Sequence, residues 1–451
     1  MSIKPIAPIY SVVAKSSEPK TAYFGTPAIC ALPNGRLIVT HDHFHARNAA
    51  VKDSCSESCF DSIMNCVVWT DIYASDDRGD TWTLKGHSPC CHATPFTAGG
   101  RVYLMGNGDG RLIIKASDDN GETWGEARCI NDGEEWTDKR GLPEGYVWNR
   151  GSARAMWRGG ANNAFEENGY VYFSYELRKA TSHKAEEGGT WGVAANSPML
   201  LRGKADQDLT QKENWTITPP LFFCDDVDEN AFGMVGLPFY AEKRHASVRI
   251  DEKHAVSPMG PLEFNAVRIY DPNHIWYDAS MRTMYLIGRF GCLRSNLAAV
   301  YKVRENEDGT MTTSHVTTPA GAEWMLLPMP GGQLKFHILY DKETKTYWLV
   351  SSQCTDSCRR PETMPETRFN MPYDQRTRLQ LYFSTNCVDW CFAGIVDIGQ
   401  TDIESRHYCG ACIQEDDLLI VSRSGSPDAA SAHNVDMVTL HKVKNFRDLI
   451  Y

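Results

Sequence analysis

The sequence predicts an all-β fold, a single β-propeller of six blades in which each blade is a four-stranded antiparallel sheet. Two observations carry this prediction: an eight-residue turn motif that recurs at the spacing of propeller blades, and many short alternating runs typical of strands. No linker-like or low-complexity segment interrupts the 451 residues, so we expect one domain over residues 1–451. Seven blades are the alternative, because residues 225–310 are long enough to hold an extra blade.

The turn motif has the pattern S-x-D-x-G-x-T-W and occupies residues 75–82 and 117–124, so its copies lie 42 residues apart. In such a turn the serine and aspartate side chains bond nearby backbone amides, and the glycine takes a positive φ angle. Each copy follows an alternating apolar run and its tryptophan opens another, which predicts strand, turn and strand. Weaker copies lie at residues 384–390 and 206–215.

Alternating apolar runs place the remaining elements in order along the chain. Residues 9–13 predict a strand that closes the ring by pairing with the last blade. The fourth blade is the least regular and is marked by the run at residues 283–289. We expect the other five blades to begin near residues 24, 90, 157, 330 and 408.

The two full copies of the motif resemble the Asp boxes of the sialidase superfamily, and the resemblance covers most of the chain. It implies a propeller whose functional pocket lies on the axis, far from the Asp boxes, so we expect Asp77 and Asp119 to be structural. True sialidases carry Phe-Arg-Ile-Pro in the first blade, and that arginine grips the substrate carboxylate. Here Gly25 stands at the arginine position. The resemblance therefore implies a divergent member of the superfamily.

Equivalent positions of different blades should converge on the pocket, because first strands begin and second strands end around the axis. We place Arg158 at the start of the first strand of blade 3, the position that His92 holds in blade 2. Arg423 ends the second strand of blade 6, as His43 and Tyr175 do in blades 1 and 3. Carboxylates, histidines and tyrosines can move protons, which gives the catalytic candidates Asp42, His43, His92, Tyr175 and Glu176. Cations and polar rings suit an acidic sugar, which gives the substrate-binding candidates Arg158, Lys335, Tyr408, Arg423 and His433.

Metal ligands are only weakly indicated. Strand alternation places His41, His43 and His45 on one face and Asp42 on the other. Histidine and cysteine bind zinc, so the metal candidates are His41, Cys91 and Cys409, but the chain shows no pair of C-x₂-C motifs at zinc-ribbon spacing. The sequence predicts no required cofactor and leaves a structural zinc ion as an alternative.

Three functions follow from the fold resemblance and the candidate residues. The first is a glycoside hydrolase that cleaves an acidic or decorated oligosaccharide. The second is a lyase that eliminates across a uronate glycoside, as the ulvan lyases of this superfamily do, because the candidate rim is rich in cations, histidines and a tyrosine. The third is a propeller that binds glycans without catalysis. Fold alone does not choose among them.

Composition limits the partners and suggests a compartment. The net charge of −11 argues against nucleic acid and anionic membranes as partners, although a pocket can be locally basic. The amino terminus has no apolar signal core, and no run approaches 18 apolar residues. Fifteen cysteines without export predict reduced thiols and a cytoplasmic protein.

Overall fold

The computed structural model describes residues 4–46, 55, 57–61, 66–108, 110–131, 155–160, 162–179, 193–226, 248–249, 255–256, 260–291, 296–317, 321, 323–324, 326–352, 354–355, 359, 363 and 375–451. Within them, antiparallel sheets form six blades around a central axis, and α-helix is confined to one turn, α1 (Phe223–Asp226). The all-β prediction and the six-blade count are confirmed. None of the helices in this part of the chain is long and apolar enough to span a membrane.

The strands follow the chain blade by blade, from the innermost to the outermost. Strand β1 (Tyr10–Lys15) precedes the blades. Blade 1 contains β2 (Ala22–Ala31), β3 (Leu37–His45), β4 (Cys59–Asp61), β5 (Cys66–Ser75) and β6 (Thr83–Ser88). Blade 2 contains β7 (Cys91–Ala98), β8 (Arg101–Gly108), β9 (Arg111–Ser117) and β10 (Arg128–Asn131). Blade 3 contains β11 (Ala155–Arg158), β12 (Ala164–Glu167), β13 (Tyr170–Lys179), β14 (Asn196–Lys204) and β15 (Trp215–Ile217).

The second half of the ring repeats this arrangement after a two-stranded hairpin, β16 (Val248–Arg249) and β17 (Ala255–Val256). Blade 4 contains β18 (Pro261–Val267), β19 (Thr283–Phe290), β20 (Leu297–Glu305), β21 (Met311–Thr317), β22 (Glu323–Trp324) and β23 (Leu326–Pro328). Blade 5 contains β24 (His337–Asp341), β25 (Thr346–Ser351), β26 (Arg378–Ser384) and β27 (Cys391–Ile398). Blade 6 contains β28 (Arg406–Gln414), β29 (Asp417–Ser424) and β30 (Met437–Val443), with β1 as its outer strand.

The ring is closed by the two ends of the chain. Strand β1 pairs with β30, from Tyr10 opposite His441 to Lys15 opposite Met437. The predicted closing strand is therefore confirmed, because the amino-terminal end of the chain supplies the outer strand of the last blade.

Apolar clusters fill the spaces between neighbouring blades. Between blades 2 and 3, for example, Phe96 and Met105 pack against Trp157 and Phe173, and all four are almost completely buried. Burying a side chain of this size contributes roughly 1.5–3 kcal/mol to folding. The core of the protein thus lies between the sheets, and the axis is left for polar side chains and a cavity.

The two copies of the turn motif join the third and fourth strands of blades 1 and 2. Ser75 Oγ donates to Asp77 Oδ1 at 2.7 Å and accepts the N–H of Gly79 at 2.8 Å, and Asp77 accepts the N–H of Thr81 at 2.9 Å. The second copy repeats these contacts around Asp119, with its aspartate exposed. The motif is therefore an outer turn, as its sequence predicts.

Candidate active site

The first strands of four blades share one irregularity. In β2, β7, β18 and β28 the pairing with the second strand slips by one residue, which is the pattern of a β-bulge. One residue of each bulge has a positive φ: Thr26 (32°), His92 (56°), Glu263 (56°) and Tyr408 (50°). Such a conformation is strained for residues other than glycine and persists where the surrounding structure enforces it. The bulges therefore re-aim these four side chains at equivalent places around the axis.

The second strands supply a polar residue beside each bulge. The last regular pairs before the bulges are Gly25 with Asp42, Cys91 with Asn107, Leu262 with Arg289, and His407 with Arg423. In blade 3, whose first ladder has no register shift, β11 ends at the pair of Arg158 with Glu176. Five blades thus place a polar side chain at one equivalent position, and those residues are Asp42, Asn107, Glu176, Arg289 and Arg423. Together with the bulge residues they form the candidate site at one end of the axis.

Tyr408 stands at the centre of the positive side of this site. Arg289 Nη1 donates to Tyr408 Oη at 2.8 Å and to Glu263 Oε2 at 3.1 Å. The Glu263 carboxylate lies near enough for its negative charge to act on the Tyr408 phenol. The guanidinium carbons of Arg376 and Arg423 lie 5.6 Å and 5.4 Å from the centroid of the Tyr408 ring. One phenol is therefore surrounded by a carboxylate and three guanidinium groups.

The protonation of Tyr408 is set by these neighbours. Burial raises the pKa of Tyr408, the negative charge of Glu263 adds to that rise, and Arg289 and Arg376 oppose it. The phenol is consequently neutral at rest. Glu263, which shares Arg289 with Tyr408, is the carboxylate beside it.

Arg423 is a buried cation that forms no ion pair with a described residue. Its side chain is 4% exposed, its Nη2 donates to the carbonyl oxygen of His433 at 2.5 Å, and its guanidinium lies over the Phe44 ring at 5.5 Å. Its Nε has no hydrogen-bond partner, and the carboxylates of Asp42 and Glu263 act on it only from beyond ion-pair distance. Burial, followed by repulsion from Arg376, lowers the pKa of Arg423 to about 10. A buried, unpaired charge is unfavourable unless a ligand supplies the opposite charge.

The packing around Gly25 accounts for the missing arginine. A Cβ atom on Gly25 would lie 3.1 Å from Asp42 Oδ2 and 3.2 Å from Phe44 Cε1, which is tighter than ordinary contact. The Phe44 ring therefore fills the space beside Gly25, and Arg423 of blade 6 covers the same ring. Arg423 of blade 6 therefore supplies a cation close to Gly25, where blade 1 has no arginine.

Two acidic residues hold the bulge residues of the next blade. Asp42 Oδ1 accepts the backbone N–H of His92 at 2.6 Å, and Glu176 Oε1 accepts the backbone N–H of Glu263. Burial, and then the charge of Glu263, raise the pKa of Glu176 well above its usual range, although the hydrogen bond from the Glu263 N–H and the charges of Arg178 and Arg158 oppose the rise. The Glu176 carboxyl group is therefore neutral. Glu176 caps the bulge of blade 4, and Asp42 caps the bulge of blade 2.

Comparison with known proteins bears on the fold. No protein-family model matches the sequence, and no curated protein is similar to it in sequence. The Hadza microbial sialidase Hz136 superposes with a TM-score of 0.50 at 12% identity, over 97% of this chain and 68% of the sialidase. The chain has the sialidase-like β-propeller fold.

Two further solved structures are similar at lower scores. A protein of unknown function from Dyadobacter fermentans matches with a TM-score of 0.48 at 13% identity, over 98% of both chains. The α-L-arabinofuranosidase Arb93A from Fusarium graminearum matches with a TM-score of 0.44 at 11% identity, over 97% of both chains.

The residues expected from the sequence fall into two groups in this sialidase-like propeller. Eight of them lie around Tyr408 or in the neighbouring blades at the same end of the axis. They are Asp42, His92, Arg158, Glu176, Lys335, Tyr408, Arg423 and His433. Lys335 is buried and donates to the carbonyl oxygen of Cys409 at 2.5 Å. Burial lowers the pKa of Lys335, and the negative charge of Glu263 offsets part of that change. His433 is half-buried, and burial together with Arg423 lowers its pKa well below the usual value.

His43 and Tyr175 lie on other faces of their strands. His43 Nδ1 is 3.2 Å from Asp71 Oδ2, and its ring stacks on that of His45, which confirms that the histidines share a face opposite Asp42. Tyr175 is fully buried between blades 2 and 3 and reaches the site only through Asn107, to whose Oδ1 its hydroxyl donates at 2.6 Å. The register that matched these two residues with Arg423 was wrong by one residue, and one residue reverses the face.

The three metal candidates lie in different blades. His41 is buried with Nδ1 3.0 Å from the carbonyl oxygen of Asp42, Cys91 Sγ donates to the carbonyl oxygen of Asn107, and Cys409 Sγ donates to that of Val350. In the described part of the chain, no group of three or more His, Cys, Asp or Glu residues could hold a metal ion. A structural zinc ion remains a prediction from sequence.

Five residues of the site were not among the sequence candidates: Thr26, Asn107, Glu263, Arg289 and Arg376. Arg289 ends an obvious strand, so the second-strand rule applied to blade 4 would have found it. Arg376 precedes β26 and reaches Tyr408 only through the packing of blade 5 against blade 6, with Nη1 at 3.0 Å from His407 Nδ1. Glu263 carries no comparable signal, because its role depends on a bulge.

A separate cavity of about 350 Å³ occupies the axis below this site. All six first strands line it, through residues such as Ala28, Thr94, Asn163, Ala266, His337 and Ala411. The cavity is the channel that propellers leave along the axis, and it does not include Tyr408 or the three arginines.

Proposed function

We propose that this protein is a glycoside hydrolase in which Tyr408 is the nucleophile, Glu263 is its base, and buried arginines hold an anionic group of the sugar. The observation that carries the proposal is that Arg289 donates hydrogen bonds to both Tyr408 and Glu263 at the axial end of the blades. Sialidases are glycosidases that use a tyrosine nucleophile, so the geometry and the fold support the same chemistry.

The first chemical step follows from these contacts. Tyr408 Oη forms a bond to the anomeric carbon while the bond from that carbon to the leaving oxygen breaks. The phenolic proton passes to Glu263, and Arg289 stabilises negative charge on the phenol oxygen during the transfer. We assign the protonation of the leaving oxygen to the Asp42 and His92 pair, whose Oδ2 and Nε2 atoms lie 3.7 Å apart. Water then hydrolyses the glycosyl–tyrosine bond with the same groups acting in reverse.

The substrate class follows from the charges around Tyr408. Arg423 is buried without a carboxylate partner among the described residues, and Arg376 lies close enough to repel it. A carboxylate or another anionic group on the sugar would supply the missing negative charge and accept paired hydrogen bonds. We therefore propose an acidic glycan as the substrate of this site.

The test is a matched panel of fluorogenic and oligosaccharide substrates in which each acidic sugar has a neutral analogue. We expect release of a new reducing end from acidic glycosides, with retained anomeric configuration by NMR, and slow or absent release from the neutral analogues. An unsaturated product with ultraviolet absorbance would instead establish the lyase. Binding of acidic glycans without any product would establish a binding propeller.

We also propose that the protein works in a reducing compartment such as the cytoplasm. The chain has 15 cysteines, and the 12 that the structure describes all carry free thiols. Thiol titration in denaturant without reductant should find most of the cysteines reactive. A count below about half would favour disulfides and an oxidising compartment instead.

A further inference from the structure

We propose that Glu176 is a positioning residue of this reaction, which accepts the backbone N–H of Glu263 and so fixes the bulge that aims Glu263 at Tyr408. The inference rests on the proposed function, because it is Glu263 that takes the proton from Tyr408 there. Glu176 belongs to blade 3 and touches neither Tyr408 nor Arg289 in a hydrogen bond that the structure shows.

The need for such a contact arises from the backbone of Glu263. Its φ of 56° is left-handed, and the pairing of β18 with β19 slips between Leu262 and Phe264. The extra residue of a bulge leaves the regular ladder, so its N–H requires another acceptor. Glu176 provides that acceptor from the neighbouring blade. Without it, a strained glutamate in an edge position has little to prevent its return to an extended conformation.

The same device occurs a second time in the molecule. Asp42 and Glu176 hold the same register position on the second strands of blades 1 and 3, opposite Gly25 and Arg158. Asp42 accepts the N–H of His92, the left-handed residue of blade 2, as Glu176 accepts that of Glu263 in blade 4. An acid at this position therefore caps the bulge of the following blade, which is a geometric role independent of proton transfer.

The charge state of Glu176 matters because Glu263 is so close. Burial first, and then the charge of Glu263, raise the pKa of Glu176, while the hydrogen bond from the Glu263 N–H and the charges of Arg178 and Arg158 offset only part of the rise. The neutral carboxyl group still accepts the N–H through one oxygen, and it adds no negative charge beside the base. Ionised Glu176 would repel the resting Glu263 carboxylate whose backbone N–H it holds, so the positioned site should work only while Glu176 is protonated.

The kinetic test compares Glu176→Gln and Glu176→Ala with the unaltered protein on an acidic glycoside. Glutamine reproduces the neutral acceptor, so E176Q should keep kcat within about threefold and lose the alkaline decline of kcat that ionisation of Glu176 causes. Alanine removes the acceptor, so E176A should lose about a hundredfold in kcat with little change in KM. The matched control is Glu167→Gln, which removes a carboxylate of the same blade that binds Arg268 and Tyr270.

The structural test separates this inference from the proposed function. In a crystal structure of E176A, we expect Glu263 to leave its positive φ and its contact with Arg289, whereas E176Q should retain both. Retention of both in E176A would overturn the positioning role, whether or not the protein is a hydrolase. If the unaltered protein hydrolyses no glycoside, the proposed function fails, and the E176A structure still decides the positioning role. If E176A does not fold, an E176Q variant with an unchanged alkaline decline would overturn the inference.

Discussion

The outer turns and the axial ends of the blades are built on opposite principles. At the outer turns of blades 1 and 2, the same residues make the same hydrogen bonds, and the side chains of Ser75 and Asp77 determine the backbone. At the axial ends the backbone repeats as a bulge, while the residues on it differ from blade to blade. The repeated residues of the outer turns thus specify the fold, and the varied residues on the axial bulges provide the chemical groups of the site.

The electrostatics of the two regions differ in the same way. Hydrogen bonds from Thr123 and Ser117 lower the pKa of the exposed Asp119 to about 2, so the folded state favours its charge. Burial acts against charge at the axis, where it raises the pKa of Glu176 and lowers that of Arg423 to about 10. Strained backbone and disfavoured charges gathered in one place are typical of functional sites. Each of the following predictions tests one side of this contrast.

The largest effect is expected for Tyr408→Phe. The change removes the nucleophilic oxygen while keeping the ring that packs near Arg376 and Arg423, so kcat/KM should fall by at least about a thousandfold with little loss of stability. Steady-state kinetics and thermal unfolding measure the two quantities.

The matched control is Tyr301→Phe in blade 4, which removes a fully buried hydroxyl with no hydrogen-bond partner among the described residues. It should leave both activity and stability almost unchanged. Equal activity of the two variants would show that Tyr408 is not the nucleophile.

The second effect is expected for Arg423→Met. A charge-assisted hydrogen bond to an anionic group is worth about 1.5–3 kcal/mol, so affinity for acidic substrates should fall roughly tenfold to a hundredfold. Affinity for any neutral analogue should be unaffected, and the protein should become more stable, because a buried charge without a carboxylate partner is removed. Competition by simple carboxylates measures the affinity. Unchanged competition would place the anion site elsewhere.

The third effect concerns the pH dependence of stability at Glu176. Its folded pKa lies above the unfolded value, so the protein loses stability as pH rises from the unfolded carboxyl range through the raised pKa. Glu176→Gln abolishes this loss. The variant should therefore match the unaltered protein in acid apart from a constant difference, and its free energy of unfolding should exceed that of the unaltered protein increasingly as pH rises. Urea unfolding at a series of pH values measures it. A constant difference across pH would show that the Glu176 carboxyl is ionised in the folded protein.

The smallest effect is expected at the outer turns, for Asp77→Ala and Asp119→Ala. Each removes the acceptor of the turn amides, so the unfolding temperature should fall by a few degrees while kcat/KM stays within about twofold. The folded pKa of Asp119 is lowered, so its stabilising contribution is present above the usual aspartate pKa and is lost as pH falls toward about 2. A folded variant without activity would contradict the separation of the two regions.

Sequence reasoning succeeded where side chains determine the backbone. The turn motif fixes φ at Gly79 and Gly121 through its own hydrogen bonds, and the spacing of its copies predicted the blades. The alternation of β3 likewise predicted that Asp42 faces away from the histidines. These features depend on residues close together in the chain.

The site could be predicted only in part, because it depends on the bulges. An extra residue in the first strand shifts the pairing without a sequence signal, so His43 and Tyr175 were matched with Arg423 when Asp42 and Glu176 hold its equivalent position. A left-handed glutamate has no local pattern either, which is why Glu263 was missed.

The most direct test of the account is the identity of the covalent intermediate. The protein should be mixed with its best acidic glycoside, quenched in acid within milliseconds, and examined by intact and peptide mass spectrometry. The proposed mechanism predicts one added glycosyl unit on Tyr408, which Tyr408→Phe abolishes. A glycosyl unit on a carboxylate, or an unsaturated product without any adduct, would contradict it.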